Sequence, residues 1–191
     1  MEASWEELIE NIQACTACGL HRGIRNKVPG QGNPHAKLMI IGEGPGSEED
    51  KQGLAFVGPA GLLLTKMLRA IHIERDDVYI ANVVKCRPPG NRVPTLEEAD
   101  ACKGFLRTQF ALIRPRIIMI MGSTALQNIL SPTARITKDR GKWVERKGVL
   151  FLPTFHPAAL LRDESKKRDA WHDLQMVRDK LAELEDETSG A

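Results

Sequence analysis

The sequence predicts an α/β protein, a three-layer α/β/α sandwich around a four-stranded, mostly parallel sheet. Four short and nearly continuous apolar segments are typical of strands that are buried on both faces. Helical patterns alternate with these segments, which favours parallel strands joined by helices. The 191-residue chain is 42% hydrophobic and 27% charged, a composition that can bury a core. We therefore expect a single domain over residues 1–191.

The predicted elements follow in order from the N-terminus. Residues 4–15 show helical spacing, with Ser4 as a candidate N-cap and with four apolar residues on one face, Trp5, Leu8, Ile9 and Ile12. A polar loop rich in Gly, Asn and Pro follows over residues 16–36. The remaining pattern predicts strands at 37–42, 78–84, 116–121 and 148–155, and helices at 60–71, 95–113, 123–130 and 164–184.

The charge distribution is consistent with a polyanionic partner. The net charge is only +2, but residues 11–162 contain 22 Lys and Arg against 12 Asp and Glu, between acidic ends. A basic body of this kind is typical of nucleic-acid-binding proteins, although many solvated surfaces share it.

The hydropathy pattern predicts neither a membrane span nor a secretory signal. The longest purely apolar runs, such as Ile117–Met121, have about five residues, whereas a spanning helix needs ~20. The N-terminal residues MEASWEELIE lack the basic and apolar regions of a signal peptide. We therefore expect a cytoplasmic protein with no membrane partner.

The chain contains four cysteines, Cys15, Cys18, Cys86 and Cys102. The first two form a C-x2-C pair, which in a cytoplasmic chain indicates a metal clamp or a redox dithiol. With two further cysteines, a site with four thiolate ligands is plausible. Zinc and an iron–sulfur cluster both accept such ligands, and the spacing does not choose between them. Scattered core cysteines are the alternative interpretation.

Unusual residues follow three of the predicted strands, at the edge of the sheet where sites form in α/β proteins. The first strand leads into the turn GEGPG, the second carries Asn82, and the fourth leads into His156. The turn lacks the pattern of a dinucleotide fingerprint or a P-loop. A buried amide such as Asn82 needs partners, and a ligand is one candidate. Phe56 belongs either to the core or to a platform for a planar ligand.

Taken together, these segments resemble family 4 of the uracil-DNA glycosylases, the iron–sulfur type. The resemblance covers roughly residues 5–180 and depends on the four cysteines and on GEGPGSEEDKQGLAFVGPAG (42–61), NVVKCRPPGNRVPT (82–95) and HPAALLR (156–162). It implies hydrolysis of the N-glycosidic bond of deoxyuridine in DNA, which releases uracil and leaves an abasic site. It also implies a [4Fe-4S] cluster bound by Cys15, Cys18, Cys86 and Cys102.

The resemblance assigns roles in base recognition to several residues. Because the target base is inaccessible inside a duplex, the nucleotide must flip into a pocket. Phe56 would stack on the uracil ring, and Asn82 would bind its Watson–Crick edge. His156 would donate to uracil O2 as negative charge develops there. Gly46 stands where other families have a bulkier aromatic residue, so Glu49 or a neighbouring residue is expected to fill that space.

The residue that activates the attacking water is less clear from the resemblance. Many uracil-DNA glycosylases carry an Asp one residue beyond the position of Glu43, where this chain has Gly44. Glu43 is therefore the first candidate, followed by Asn91 and then Asp50. The glycines of the turn, Gly42 and Gly44, are expected to contact the substrate.

The DNA contacts are expected from the second and third motifs. Leu160 resembles the wedge that enters the base stack, although a core leucine in a first helical turn would look the same. Arg87, Arg92, Arg162 and Lys166 are expected to contact phosphates, as is Lys85. The charged segment 135–147 either extends this surface or forms a solvated hairpin.

Three alternatives remain open at this point. A related iron–sulfur member traps its substrate covalently through a loop that carries a reactive His, but residues 87–94 contain no His. A non-catalytic iron–sulfur module that only binds DNA is the second alternative, and a zinc module is the third. The expected partner is uracil-containing DNA, single- or double-stranded, and the expected state is a monomer.

Overall fold

A computed structural model describes residues 4–189, with side chains through residue 187. Its central feature is a six-stranded sheet with the order β1-β3-β2-β4-β6-β5. The strands are β1 (Gln31–Gly32), β2 (Leu38–Gly42), β3 (Tyr79–Asn82), β4 (Ile117–Met121), β5 (Val144–Arg146) and β6 (Val149–Thr154).

The four predicted strands form the parallel centre of the sheet, which confirms this part of the prediction. Strands β2, β3 and β4 are buried at every residue, as their continuous apolar sequences require. Gly42 pairs with Asn82, and Met121 pairs with Thr154. This register aligns the carboxyl ends of the strands along one edge.

The sheet has six strands rather than the predicted four. The two additional strands, β1 and β5, are antiparallel to their neighbours and lie at the two edges. Strand β1 lies in the segment predicted as a loop, and β5 lies in the charged segment 135–147, where it forms a hairpin with β6. Strands of two and three residues are too short to produce an alternating pattern, so the sequence did not indicate them.

The helices cover both faces of the sheet. The helices are α1 (Trp5–Ala14), α2 (Ser47–Gln52), α3 (Pro59–Ala70), α4 (Leu96–Ile113), α5 (Ser123–Ile129), α6 (Ile136–Asp139), α7 (Pro157–Arg162) and α8 (Lys167–Ser189). The Ser4 hydroxyl caps α1 by accepting from the Glu7 N–H, as predicted. The short helices α2 and α6 were not predicted. The terminal helix begins at Lys167, because residues 164–166 form a 3-10 turn.

Two hydrophobic clusters pack on opposite faces of the sheet, which confirms the three-layer arrangement. Side chains of α3, α7 and α8 pack on one face, around Ile40, Met119 and Leu152. Side chains of α4 and α5 pack on the other, around Met39 and Ile118. Within residues 4–189, no helix has the length and apolar character needed to cross a membrane.

Candidate active site at the strand ends

A cavity of about 670 Å³ opens at the carboxyl ends of the parallel strands. Residues that follow β2, β3, β4 and β6 contribute to its wall, so the structure brings the three sequence motifs together. We call Phe56, Asn82 and His156 the floor of the cavity, and Arg92, Arg162 and Lys166 its rim. The wall also contains Gly44, Glu43, Glu49 and Asn91.

Asn82, the last residue of β3, presents an unsatisfied acceptor. Its side chain is 2% exposed, and its Oδ1 has no hydrogen-bond partner among the described residues. Burying an amide oxygen without a partner is costly, and native proteins rarely leave one unpaired. Because Asn82 lies in the cavity wall, a molecule in the cavity with an N–H or O–H group can supply the missing partner.

Position 42 has no room for a side chain, which explains the glycine there. A Cβ at this position would lie 2.5 Å from Phe56 Cζ and 2.7 Å from Asn82 Oδ1. Both distances are shorter than real Cβ contacts allow. Gly42 therefore lets the aromatic ring and the amide approach each other across the end of β2, and Gly44 similarly leaves room for Val84.

Phe56 provides the flat surface of the cavity. Its ring stacks on the His156 ring, with centroids 5.5 Å apart and an interplanar angle of 29°. The residue is 5% exposed and has a backbone φ of 52°, a left-handed conformation that is uncommon for a bulky side chain. The ring thus combines a core position with a place in the cavity wall.

His156 is held as a neutral hydrogen-bond donor. Its Nδ1 accepts from the backbone N–H of Ala158 at 3.0 Å, so the ring proton lies on Nε2. Burial, together with a smaller effect of the positive charge of Arg162, lowers the pKa of His156 to about 4. The first residues of α7 therefore fix both the tautomer and the orientation of the ring.

Glu43 is held by a residue that the sequence did not single out. The Thr124 hydroxyl, at the start of α5, donates to Glu43 Oε2 at 2.6 Å. Both residues line the cavity. Thr124 follows β4, the strand without a recognised motif, and the only signal in the sequence was its position after a strand end. This bond fixes one carboxylate oxygen and restricts the orientation of the other.

Glu49 connects the turn after β2 to the start of α3. Its Oε1 accepts from the N–H groups of Val57 and Gly58 at 2.9 and 2.8 Å, and its Oε2 accepts from Gly46 at 3.2 Å. The carboxylate lies in the cavity wall. It therefore occupies space beside Gly46 and also braces the segment that carries Phe56.

Several predicted site residues do not line the cavity, namely Gly42, Asp50, Arg87 and Leu160. Asp50 does not line the cavity. Its Oδ1 instead accepts from the N–H groups of Arg25 and Asn26, at 2.9 and 3.4 Å. Leu160 is 2% exposed and belongs to the core, so in this structure it is not placed to enter a base stack. Leu161, the next residue, is 51% exposed.

The predicted phosphate-binding side chains differ in their surroundings. Arg92 lies at the rim but forms two hydrogen bonds with Glu98, at 2.7 and 2.8 Å. Arg87 Nε donates to Asn91 Oδ1 at 2.7 Å, which engages the amide of the second water-activating candidate. Arg162 is exposed, and Lys166 lies 5.3 Å from the centroid of the Phe155 ring.

Lys85 is not a phosphate contact, contrary to expectation. It is 1% exposed, and its Nζ donates to the Asn82 carbonyl at 2.9 Å and to Gln109 Oε1 at 2.8 Å. Burial lowers the pKa of Lys85 to about 8. The side chain therefore supports the end of β3 from behind the cavity.

A second, mostly apolar cavity collects all four cysteines. Cys15 and Cys18 follow α1, Cys86 follows β3, and Cys102 lies on α4. Burial raises the pKa of the Cys86 thiol to about 12, so its thiolate form needs a nearby positive charge such as bound iron or zinc.

The four thiols face a common space in the structure. Within residues 4–189, no three His, Cys, Asp or Glu side chains converge as ligands of a single metal ion. Zinc would need every sulfur at about 2.3 Å from one centre. Four thiolates are also the usual ligand set of an iron–sulfur cluster.

The arrangement at the strand ends suits a small planar ligand. The floor offers an aromatic face, an amide with an open acceptor and a neutral imidazole donor, and Glu43 adds a carboxylate. This combination can bind a heterocycle by its face and edge and stabilise negative charge on it.

Comparison with known proteins agrees with this geometry. The family model described as "Uracil DNA glycosylase superfamily" matches residues 29–175. The type-4 uracil-DNA glycosylase of Thermotoga maritima is 49% identical over 87% of this chain and 88% of its own. The type-4 enzymes of Sulfurisphaera tokodaii and Archaeoglobus fulgidus are 42% and 44% identical, over 92% and 83% of this chain and 84% and 83% of theirs.

Proposed function

This chain belongs to the uracil-DNA glycosylase superfamily, and we propose that it excises uracil from DNA, as the names of its type-4 relatives describe. The reaction hydrolyses the N-glycosidic bond and leaves an abasic site, the first step of base excision repair. The observation that carries the proposal is the buried Asn82 with an open Oδ1, in the same cavity as the Phe56 ring and the neutral His156.

Base recognition is assigned to the two polar ends of the buried Asn82 amide. Asn82 Oδ1 accepts from uracil N3–H, and its Nδ2 donates to uracil O4. Cytosine presents the opposite pattern, an acceptor at N3 and a donor at C4, so its binding would leave buried polar groups unpaired. Phe56 stacks on the base, an interaction worth about 1–3 kcal/mol per base in single-stranded complexes.

Bond cleavage requires stabilisation of the departing uracil anion. His156 Nε2–H donates to uracil O2, where negative charge grows as the bond to the sugar breaks. Because the pKa of His156 is about 4, the imidazole is neutral at physiological pH and acts as a hydrogen-bond donor, not as a charged acid. A donor that is aimed at charge present only in the transition state raises the rate of the chemical step.

Water delivery is assigned to Glu43. The hydroxyl of Thr124 fixes one carboxylate oxygen at 2.6 Å, and the other can orient a water toward the sugar carbon. The water oxygen bonds to that carbon as the uracil nitrogen leaves, and the released proton is taken up by the carboxylate or by solvent. Asn91 is the weaker candidate, because it is exposed and already accepts from Arg87.

The remaining cavity volume accommodates the DNA backbone. At about 670 Å³ the cavity exceeds what a pyrimidine fills, so the sugar and its phosphates can enter with the base. Arg162 and Lys166 at the rim supply positive charge for phosphates, which makes binding dependent on salt. We assign no wedge role to Leu160, because its side chain is in the core.

We assign a [4Fe-4S] cluster to Cys15, Cys18, Cys86 and Cys102. When bound, the cluster supplies a covalent cross-link through four thiolates, and no residue of the proposed reaction requires an electron from it. The ligands tie α1 and α4 to the segment that follows Asn82. Iron and acid-labile sulfide in equal amounts in brown, anaerobically purified protein would support this assignment, and stoichiometric zinc in colourless protein would contradict it.

We also propose that the enzyme acts as a monomer in the cytoplasm. Residues of one chain build the whole cavity, so the reaction needs no second copy. A four-cysteine iron–sulfur site also suits a reducing compartment. Sedimentation of the DNA-free protein as a single-chain species would support the monomer.

The experiment that tests the proposed function uses a labelled oligonucleotide with one deoxyuridine. Matched oligonucleotides with thymine or cytosine at the same position are the controls. We expect multiple-turnover uracil release and strand scission after alkali only for deoxyuridine. DNA binding without base release would indicate a non-catalytic binding module. An adduct that survives denaturation would indicate a covalently trapping relative.

A further inference from the structure

Arg75 lies outside every recognised motif, in the 3-10 turn between α3 and β3. Its guanidinium contacts the segment that carries the stacking ring. Nη1 donates to the Phe56 carbonyl at 2.7 Å and to Thr65 Oγ1 at 3.3 Å, and Nη2 donates to the Ala55 carbonyl. Arg75 does not line the strand-end cavity, so any effect it has on the reaction must pass through these contacts.

The backbone that Arg75 binds is in an unfavourable conformation. Phe56 has a φ of 52°, which places a bulky residue in the left-handed region that such side chains avoid. Its carbonyl also packs directly against α3, because a Cβ at Gly61 would lie 1.9 Å from the Phe56 oxygen. A conformation of this kind persists only where surrounding contacts hold it.

The conformation of Phe56 determines where its ring lies. The ring stacks on His156 with centroids 5.5 Å apart, and it packs over Gly42, where there is no room for a side chain. If the backbone relaxed to a negative φ, the Cα–Cβ bond would point in another direction, and the ring would leave the cavity floor. The position of the Phe56 ring therefore depends on the Ala55 and Phe56 carbonyls and on the Arg75 guanidinium that binds them.

We propose that Arg75 is a positioning residue for uracil excision, which holds Phe56 in the left-handed conformation that puts its ring under the base. The inference rests on the proposed function, because it assumes that Phe56 stacks on uracil. Arginine suits the task, because its planar fork donates to two neighbouring carbonyls at once, which a lysine ammonium does with less directional control. Glu49 acts beside it, since it accepts from the next two N–H groups, of Val57 and Gly58.

The test is a double-mutant cycle between Arg75 and Phe56. The catalytic efficiency of uracil release is measured under single-turnover conditions, from the dependence of the rate on enzyme concentration, for wild type, Arg75→Met, Phe56→Ala and the double variant. Because a charged hydrogen-bond network is lost, we expect Arg75→Met to lower the catalytic efficiency roughly 10- to 100-fold. In the Phe56→Ala background, where no ring remains to be positioned, the same change should cost no more than about 2-fold.

Two further variants separate positioning from general destabilisation. Arg75→Lys keeps the charge and one donor, so it should recover part of the lost efficiency. Arg69→Met removes a nearby guanidinium whose ion-pair partner is the exposed Glu74, at 3.5 Å, and should leave the efficiency unchanged. Binding of the matched thymine oligonucleotide should be equal in wild type and Arg75→Met, because the rim is intact.

An equal loss in both backgrounds would overturn the inference, since it would mean that Arg75 acts independently of the ring. No loss in the wild-type background would overturn it as well. Failure of the proposed function looks different, because wild type itself would then release no uracil. If wild type is active but the effects of Arg75→Met and Phe56→Ala simply add in the double variant, only the proposed role of Arg75 is rejected.

Discussion

In the strand-end cavity, the floor residues and the rim residues differ in their exposure to solvent. Asn82 and Phe56 of the floor are 2% and 5% exposed, and the half-buried His156 ring is held by the Ala158 N–H. Arg92 and Arg162 of the rim are exposed and Lys166 is half-buried, and Arg92 is paired with the Glu98 carboxylate. Buried, oriented groups can discriminate a base and stabilise a transition state, whereas solvated charges mainly attract DNA.

The difference predicts that floor substitutions change chemistry and that rim substitutions change affinity. The floor leaves one buried acceptor of Asn82 open for a ligand. The positive charges of the rim stay in contact with solvent. When DNA dissociates, water and counterions solvate them with little loss of free energy.

His156→Ala should produce the largest loss. Removal of one donor that is aimed at developing negative charge lowers the rate of the chemical step by about 10²–10³-fold. Single-turnover uracil release with enzyme in excess measures this step, and the dissociation constant of the DNA complex should stay near that of wild type. A loss of DNA affinity that accounts for the whole effect would place His156 with the rim.

Asn82→Ala should reduce uracil release roughly 10- to 100-fold, because two hydrogen bonds to the base are lost in a buried site. The ratio of uracil to cytosine binding should fall as well, since the amide is the group that distinguishes their edges. Competition by free uracil and free cytosine measures this ratio in both proteins. An unchanged ratio would show that another group selects the base.

Arg162→Gln should weaken DNA binding without slowing the chemical step. Loss of one phosphate contact should lower the slope of log affinity against log salt by about 1, equally for uracil and thymine oligonucleotides. Titrations at several salt concentrations measure this slope. If the slope stays constant while the single-turnover rate falls, Arg162 acts within the floor.

The smallest effect concerns stability at acidic pH. The pKa of His156 falls from its ordinary value of 6.5 to about 4 on folding, so the unfolded chain binds a proton more readily between these values. The resulting stability is fully present above pH 6.5 and decreases as the pH falls toward 4. His156→Gln should therefore lose less unfolding free energy than wild type over this range. Denaturant titrations at several pH values measure the unfolding free energy of both proteins. If it falls equally in wild type and His156→Gln between pH 6.5 and 4, the lowered pKa of His156 is contradicted.

The parallel centre of the fold and most of the cavity wall could be predicted from sequence. Continuous apolar strands identify buried parallel pairing, and the motifs lie directly after those strands, so Asn82 and His156 had to converge. The edge strands could not be predicted, because pairing of residues 31–32 and 144–146 depends on neighbours that are distant in sequence.

The sequence-based predictions for site residues were wrong where they depended on the direction of a side chain or on a partner distant in sequence. Leu160 and Leu161 are adjacent in α7, and only the packing of that helix decides that the first is buried and the second exposed. Lys85 resembles a phosphate-binding side chain until Gln109, 24 residues away, is seen to bind it. Arg75 and Thr124 act through contacts with Phe56 and Glu43 that no local pattern encodes.

The most direct test of the division between floor and rim measures both quantities in two variants. His156→Ala and Arg162→Gln are compared with wild type in DNA affinity and in single-turnover uracil release at saturating enzyme, at pH 7.5 and two salt concentrations. We predict that His156→Ala keeps its affinity and loses its rate, and that Arg162→Gln loses affinity at low salt and keeps its rate. Loss of both quantities in both variants would contradict the division.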